Sequence, residues 1–166
     1  MLRLIITAAL SLWLTACAGY TLGGAKPAAF AGINSIAIPQ FTNQSLEPRL
    51  SVLATNSVVD AFAQDGTYAI KTTSSSDATL LATITDVSYT QYRSNRFDTL
   101  ASDELTVELN ISWKLVQGQR VLSSGVATGT TNFETGDNLS ISRQNAFPLA
   151  ASRAAEEIVI SLTEGF

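Results

Sequence analysis

The sequence predicts an α+β fold, a two-layer sandwich in which a mainly antiparallel sheet of four to five strands carries two α-helices on one face. Three observations lead there. Leu105, Val107, Leu109, Ile111, Trp113 and Leu115 alternate without a fault against Thr106, Glu108, Asn110, Ser112 and Lys114, which describes a strand with one buried and one wet face. Leu50, Leu53, Ala54, Val58, Ala61 and Phe62 recur at three- and four-residue intervals, the apolar face of a helix. Phe147, Ala150, Ala151, Ala154, Ile158 and Leu162 form a second such face near the end of the chain. The element order is then strand, helix, several strands, helix.

The first segment is an address. Arg3 supplies a positive end, Leu4 to Leu14 is almost wholly apolar, and the small residues Thr15 and Ala16 precede Cys17, the only cysteine in the chain. This layout is that of a secretory signal and too short for a good spanning helix, which takes about 20 apolar residues. Leu14-Thr15-Ala16-Cys17 resembles a bacterial lipoprotein signal. The alternative, an ordinary cleaved signal, needs no cysteine after the cut. By that resemblance residues 1–16 are removed and Cys17 carries thioether-linked and amide-linked acyl chains. Each buried methylene contributes about 0.8 kcal/mol, so such a terminus stays in the membrane. Ala18 in place of Asp favours, by likeness to sorted lipoproteins, the outer membrane.

Composition narrows the function. Without residues 1–16 the chain has nine basic and fourteen acidic residues and a net charge of −5. One domain of this length can bury a real core. With Cys17 lipidated, no disulfide framework or thiolate metal site remains. The chain has no histidine, which removes the usual general base, the usual zinc ligand and the middle member of a hydrolytic triad. The adjacent carboxylates Asp103-Glu104 and Glu156-Glu157 diverge on a strand and a helix and form no acid/base pair. No enzyme activity, cofactor or metal is expected. The acidic balance also argues against nucleic acid, whose recognition rests on phosphate neutralisation.

Residues 17–32, rich in glycine, read as a lipidated tether, and residues 33–166 as the folded domain. Ile33 to Phe41 gives a first strand ending near Pro39. Ser45 is the expected cap of the first helix, with Glu47 and Pro48 in its first turn, and Asp65-Gly66 stops it. A short strand spans Thr67 to Thr72, and 73–77 is a polar turn. Ala78 to Tyr92 is a long strand whose apolar positions change parity between Ile84 and Val87, which predicts a β-bulge near Asp86. Gln117-Gly118-Gln119 turns the chain into a glycine-containing strand, Val121 to Phe133, suited to a sheet edge. For the last helix, Pro148 fits in a first turn capped by Asn145, or it kinks a longer helix from near Ser142; the first-turn reading is preferred.

Gly19-Tyr20-x-Leu22 after the cysteine, Ile36-Ala37-Ile38-Pro39-Gln40-Phe41-Thr42-Asn43 before the first helix, and Asp77-Ala78 at the head of the long strand resemble the LptE family of lipopolysaccharide-assembly lipoproteins. The resemblance covers nearly the whole mature chain. It implies a protein that sits in the lumen of the LptD β-barrel of the outer membrane, on the periplasmic side, assists the barrel's assembly, plugs it, and contacts lipopolysaccharide in transit. It also implies a basic residue at the tip of the long strand pair that meets lipopolysaccharide; Arg93, after Tyr92, occupies that place, with Arg96 nearby. The family's second basic contact, before the last helix, has no direct counterpart: Asp137 and Asn138 stand nearest, and Arg143 follows several residues on. Lipid A phosphates call for such side chains. A different outer-membrane α+β lipoprotein, an activator of peptidoglycan synthesis or a secretion-channel accessory, is the alternative.

Overall fold

Pro39 has no amide hydrogen to give to a ladder, and it divides what the alternation reads as one strand. In the computed structural model, which describes residues 26–94, 103–134 and 138–164, with the backbone alone at 91–94 and 103, two short strands replace it. These are β1 (Ser35–Ala37) and β2 (Thr42–Asn43). β1 runs parallel to β3 (Ala69–Ile70) on one side and to the start of β4 (Ala78–Ser94) on the other; β2 pairs with β4 farther along, at Thr83 and Ile84. β5 (Asp103–Gln117) and β6 (Arg120–Glu134) continue antiparallel from β4. The sheet is open and mixed, six strands in the order β3-β1-β4-β5-β6 with β2 beside β4. The α+β architecture is the one expected; six strands are found among the described residues in place of four to five, because the first divides at Pro39 into β1 and β2.

Both helices, α1 (Leu50–Asp65) and α2 (Leu139–Thr163), start elsewhere than expected. Ser45 does not cap α1: its amide and hydroxyl both donate to Asn43 Oδ1, at 2.9 and 2.7 Å, while Asn43 Nδ2 donates to the Glu47 carbonyl at 2.8 Å. These side chains build a turn, and α1 begins after Arg49 with no side-chain cap. Gly66, at φ 73°, closes it by donating to the Phe62 carbonyl. α2 begins well before Asn145, because Asn138 Oδ1 accepts from the amides of Ser140 and Ile141 at 3.1 and 3.3 Å. Pro148 therefore lies inside the helix, which corrects the first-turn reading. It sits on the exposed side, where water can serve the Gln144 carbonyl that lacks its helical donor.

The helices cover the inner face of the sheet. Rows of side chains cross β4, β5 and β6 there: Ala82, Trp113 and Gly125; Ile84, Ile111 and Ala127; Val87, Leu109 and Gly129; Tyr89, Val107 and Thr131. The rows stay on one face because the register shifts between Ile84 and Asp86, so the bulge falls at Thr85 as the change of parity requires. Ile84, Val107, Ile111, Leu115 and Ile158 are fully buried; each such side chain contributes about 1.5–3 kcal/mol. α2 lies directly on β6, since a Cβ at Gly129 would collide with the Ala150 carbonyl oxygen. At Gly125 a Cβ would stand 2.8 Å from Trp113 Cζ2. β6 is a sheet edge, as its glycines indicate, and α2 caps part of it: Thr128 N donates to Glu157 Oε2 at 2.6 Å, and Arg153 Nη1 donates to the Thr130 carbonyl.

Candidate functional site

Among the described residues β4 is an edge strand beyond Ile84, where β2 ends beside it. This distal half carries the candidate residues. Arg93 pairs with Glu104 across the ladder, and the register shifts once more between Gln91 and Arg93. Arg96 and the lipid-attachment candidate Cys17 lie outside the described residues.

Arg143 is not ahead of the last helix but within α2, because the Asn138 cap starts the helix earlier. Asn138 is occupied by that cap. The Arg143 guanidinium stacks on Tyr89, its Cζ 4.4 Å from the ring centroid, with Nε buried and without a hydrogen-bond partner. Tyr89 Oη donates to Glu47 Oε1 at 3.4 Å. Burial, and then the Glu47 carboxylate, push the Tyr89 phenol up to about 12, against the opposing charge of Arg143. Periodicity places Tyr89 in packing, which it is, but gives no sign that Glu47 and Arg143 converge on its ring. Neither belongs to a repeating pattern.

A groove of about 620 Å³ runs between α1 and α2, lined by Val52, Leu53, Phe147 and Pro148 with Arg49 at its side, whose Nη1 donates to Gln144 Oε1 at 3.3 Å. The outer face of the sheet is mostly polar and laterally bonded, with Leu81 and Val126 exposed among the polar side chains. Thr106 donates to Asn132 Oδ1 and Thr128 to Asn110 Oδ1, each at 2.8 Å, and Asn110 Nδ2 donates to Glu108 Oε1 at 2.9 Å.

The opposite end of the sheet is fastened by Asp77, which accepts from the Ser35 hydroxyl and amide at 2.9 Å and from the Asn34 amide at 3.0 Å. The Ser35 hydroxyl first, then these two amides, hold its carboxyl below the ordinary range. Lys26 Nζ donates to the Ile33 carbonyl at 2.9 Å and stands 5.0 Å from the centroid of the Tyr68 ring. Tyr68 Oη donates to the Leu162 carbonyl at 2.8 Å; burial, then Asp65, push this phenol up to about 12.

Glu157 is engaged by Thr128 N, and Glu156 accepts from Ser152 Oγ at 3.4 Å. Among the described residues no group of three or more acidic, histidine or cysteine side chains is placed to hold a metal ion, and no helix is long and apolar enough to cross a membrane.

A family model described as LptE, lipopolysaccharide-assembly, matches residues 33–162. No curated protein matches the chain. Among solved structures, a Caulobacter crescentus CB15 protein described as a lipoprotein is similar at 19% identity, covering 83% of this chain and 94% of its own, with a TM-score of 0.51. A DUF330-family protein of Xanthomonas campestris is similar at 19% identity over 87% and 93% of the two chains, with a TM-score of 0.54. A Helicobacter pylori protein described as a homologue of neuraminyllactose-binding haemagglutinin shares 9% identity over 87% and 90%, with a TM-score of 0.55. Identities this low speak to fold alone.

Proposed function

Because this chain belongs to the LptE family of lipopolysaccharide-assembly proteins, a non-enzymatic lipoprotein family, we propose that it is an outer-membrane lipoprotein, anchored through Cys17, that occupies the lumen of an LptD-like β-barrel. There it assists the barrel's assembly, plugs it and contacts lipopolysaccharide on the way to the outer leaflet. The observation that carries this reading is the family match over 33–162. The outer sheet face of Thr, Ser, Asn and Glu supports it, because the interior of a large barrel is wet and polar, and many modest hydrogen bonds engage such a wall without a high desolvation cost for each.

Arg93 is the proposed contact for a lipid A phosphate, with Arg96 beside it on the chain. Arg143, the third residue expected at this site, stands at the same end of the molecule, over the Tyr89 ring. The reading is tested by cross-linking in outer membranes followed by purification through this protein. Recovery of a large β-barrel, and misassembly of that barrel on depletion, are expected. A periplasmic synthase domain recovered in its place, with no barrel, overturns the proposal and favours an activator of peptidoglycan synthesis.

A further inference from the structure

Three segments far apart in the chain meet on one ring. Tyr89 stands on β4 past the bulge, where no strand among the described residues pairs with its outer side. Glu47 comes from the turn before α1 and accepts the phenol's hydrogen; Arg143 comes from α2 and covers the ring. A second link joins the same two segments, since Arg49 next to that turn donates to Gln144 next to Arg143. Each contact by itself is modest, a cation over an aromatic ring at the surface contributing about 0.5–1 kcal/mol. Their position gives them weight. The ring lies four residues before Arg93, and between them the ladder slips register again. A strand paired on one side twists more than an interior one, so a contact that holds Tyr89 against the helix layer bears on the course of the strand toward Arg93.

Arg143 is held in one orientation by its surroundings. Its ring-facing side is covered, and its Nε is buried with no partner. We infer that Arg143 is a positioning residue: stacked on Tyr89, with Glu47 on the hydroxyl, it fixes the distal half of β4 against the helix layer and so sets where Arg93 stands. This rests on the contact role proposed above for Arg93 and assigns Arg143 a part other than direct contact.

The test is a double-mutant cycle on the full lipoprotein, read as direct binding of purified lipopolysaccharide, together with a distance measurement that needs no ligand. Arg93→Ala and Arg143→Ala should each weaken binding about fivefold, within the range of coupling between interacting residues. The double variant should bind no more weakly than Arg93→Ala alone, because Arg143 acts through Arg93. Losses that multiply in the double variant mean that Arg143 touches the ligand itself and overturn the inference. Tyr89→Phe keeps the stack and should bind almost as well as the parent, whereas Tyr89→Leu should match Arg143→Ala. Spin labels at positions 90 and 140 should report a narrow distance distribution that broadens in Arg143→Ala; an unchanged distribution refutes the clamp whatever the binding data show. If the distribution broadens while Arg93→Ala binds normally, the clamp stands and the contact role of Arg93 falls.

Discussion

Asp77 does for a strand what a capping residue does for a helix. It precedes β4, and its carboxylate takes two amides and a hydroxyl from the start of β1, so one side chain sets the register between a strand and its parallel neighbour. In the sequence it is legible as the end of a turn and the head of the long strand but not as a clasp, because its partners lie more than forty residues away. Its carboxyl is held below the ordinary 3.8, so the folded state favours the ionised form. The stability this gives is present at neutral pH and is lost as pH falls through the depressed value. Melting temperature should accordingly drop as the pH goes below about 4, and Asp77→Asn should melt lower at neutral pH with a shallower acid slope. Tyr68 has the opposite sign: its phenol is raised to about 12, so its contribution is complete below about pH 10 and is lost above it. The same melting series, extended to alkali, reports Tyr68 together with Tyr89, whose phenol is raised likewise.

At the level of elements, strictly periodic segments were readable and the joints were not. The alternation from Leu105 to Leu115, the parity change that requires a bulge, and the alanine-rich face of α2 each express one local rule repeated many times. Boundaries are decided by competition among side chains. Asn43 engages Ser45, so α1 starts late; Asn138 finds two free amides, so α2 starts early and carries Pro148 through its exposed side. The convergence of Glu47, Tyr89 and Arg143 depends on these same boundaries, which is why Arg143 reads from the sequence as a loop residue. α2 packs closely on β6, because Gly129 leaves room for the Ala150 backbone. Gly129→Ala should destabilise by about 1–3 kcal/mol, the usual range for overpacking, with the loss visible in urea unfolding. A Ser152→Ala control on the outer part of α2 should stay within about 0.5 kcal/mol.

For the molecule as a whole, the two ends of the sheet have different duties. Lys26 and Asp77 lie at the base, and Arg93 lies near the far end of β4, whose seventeen residues span about 55 Å at ~3.3 Å each. The proposed anchor at Cys17 thus joins the domain at the end opposite the proposed contact. Nine residue steps separate Cys17 from Lys26, a reach of at most about 30 Å. Cys17→Ser should leave the melting temperature unchanged while lowering the amount of barrel recovered with the protein; a lowered melting temperature would make the anchor part of the fold. The capped edge of β6 carries a further consequence. Glu157 and Arg153 present to Thr128 and Thr130 the acceptor and donor that another strand would offer. Copies crowded on one surface, with their edges turned toward each other, find that stretch of ladder already answered, so density alone does not zip them into fibres and each remains available to its proper partner.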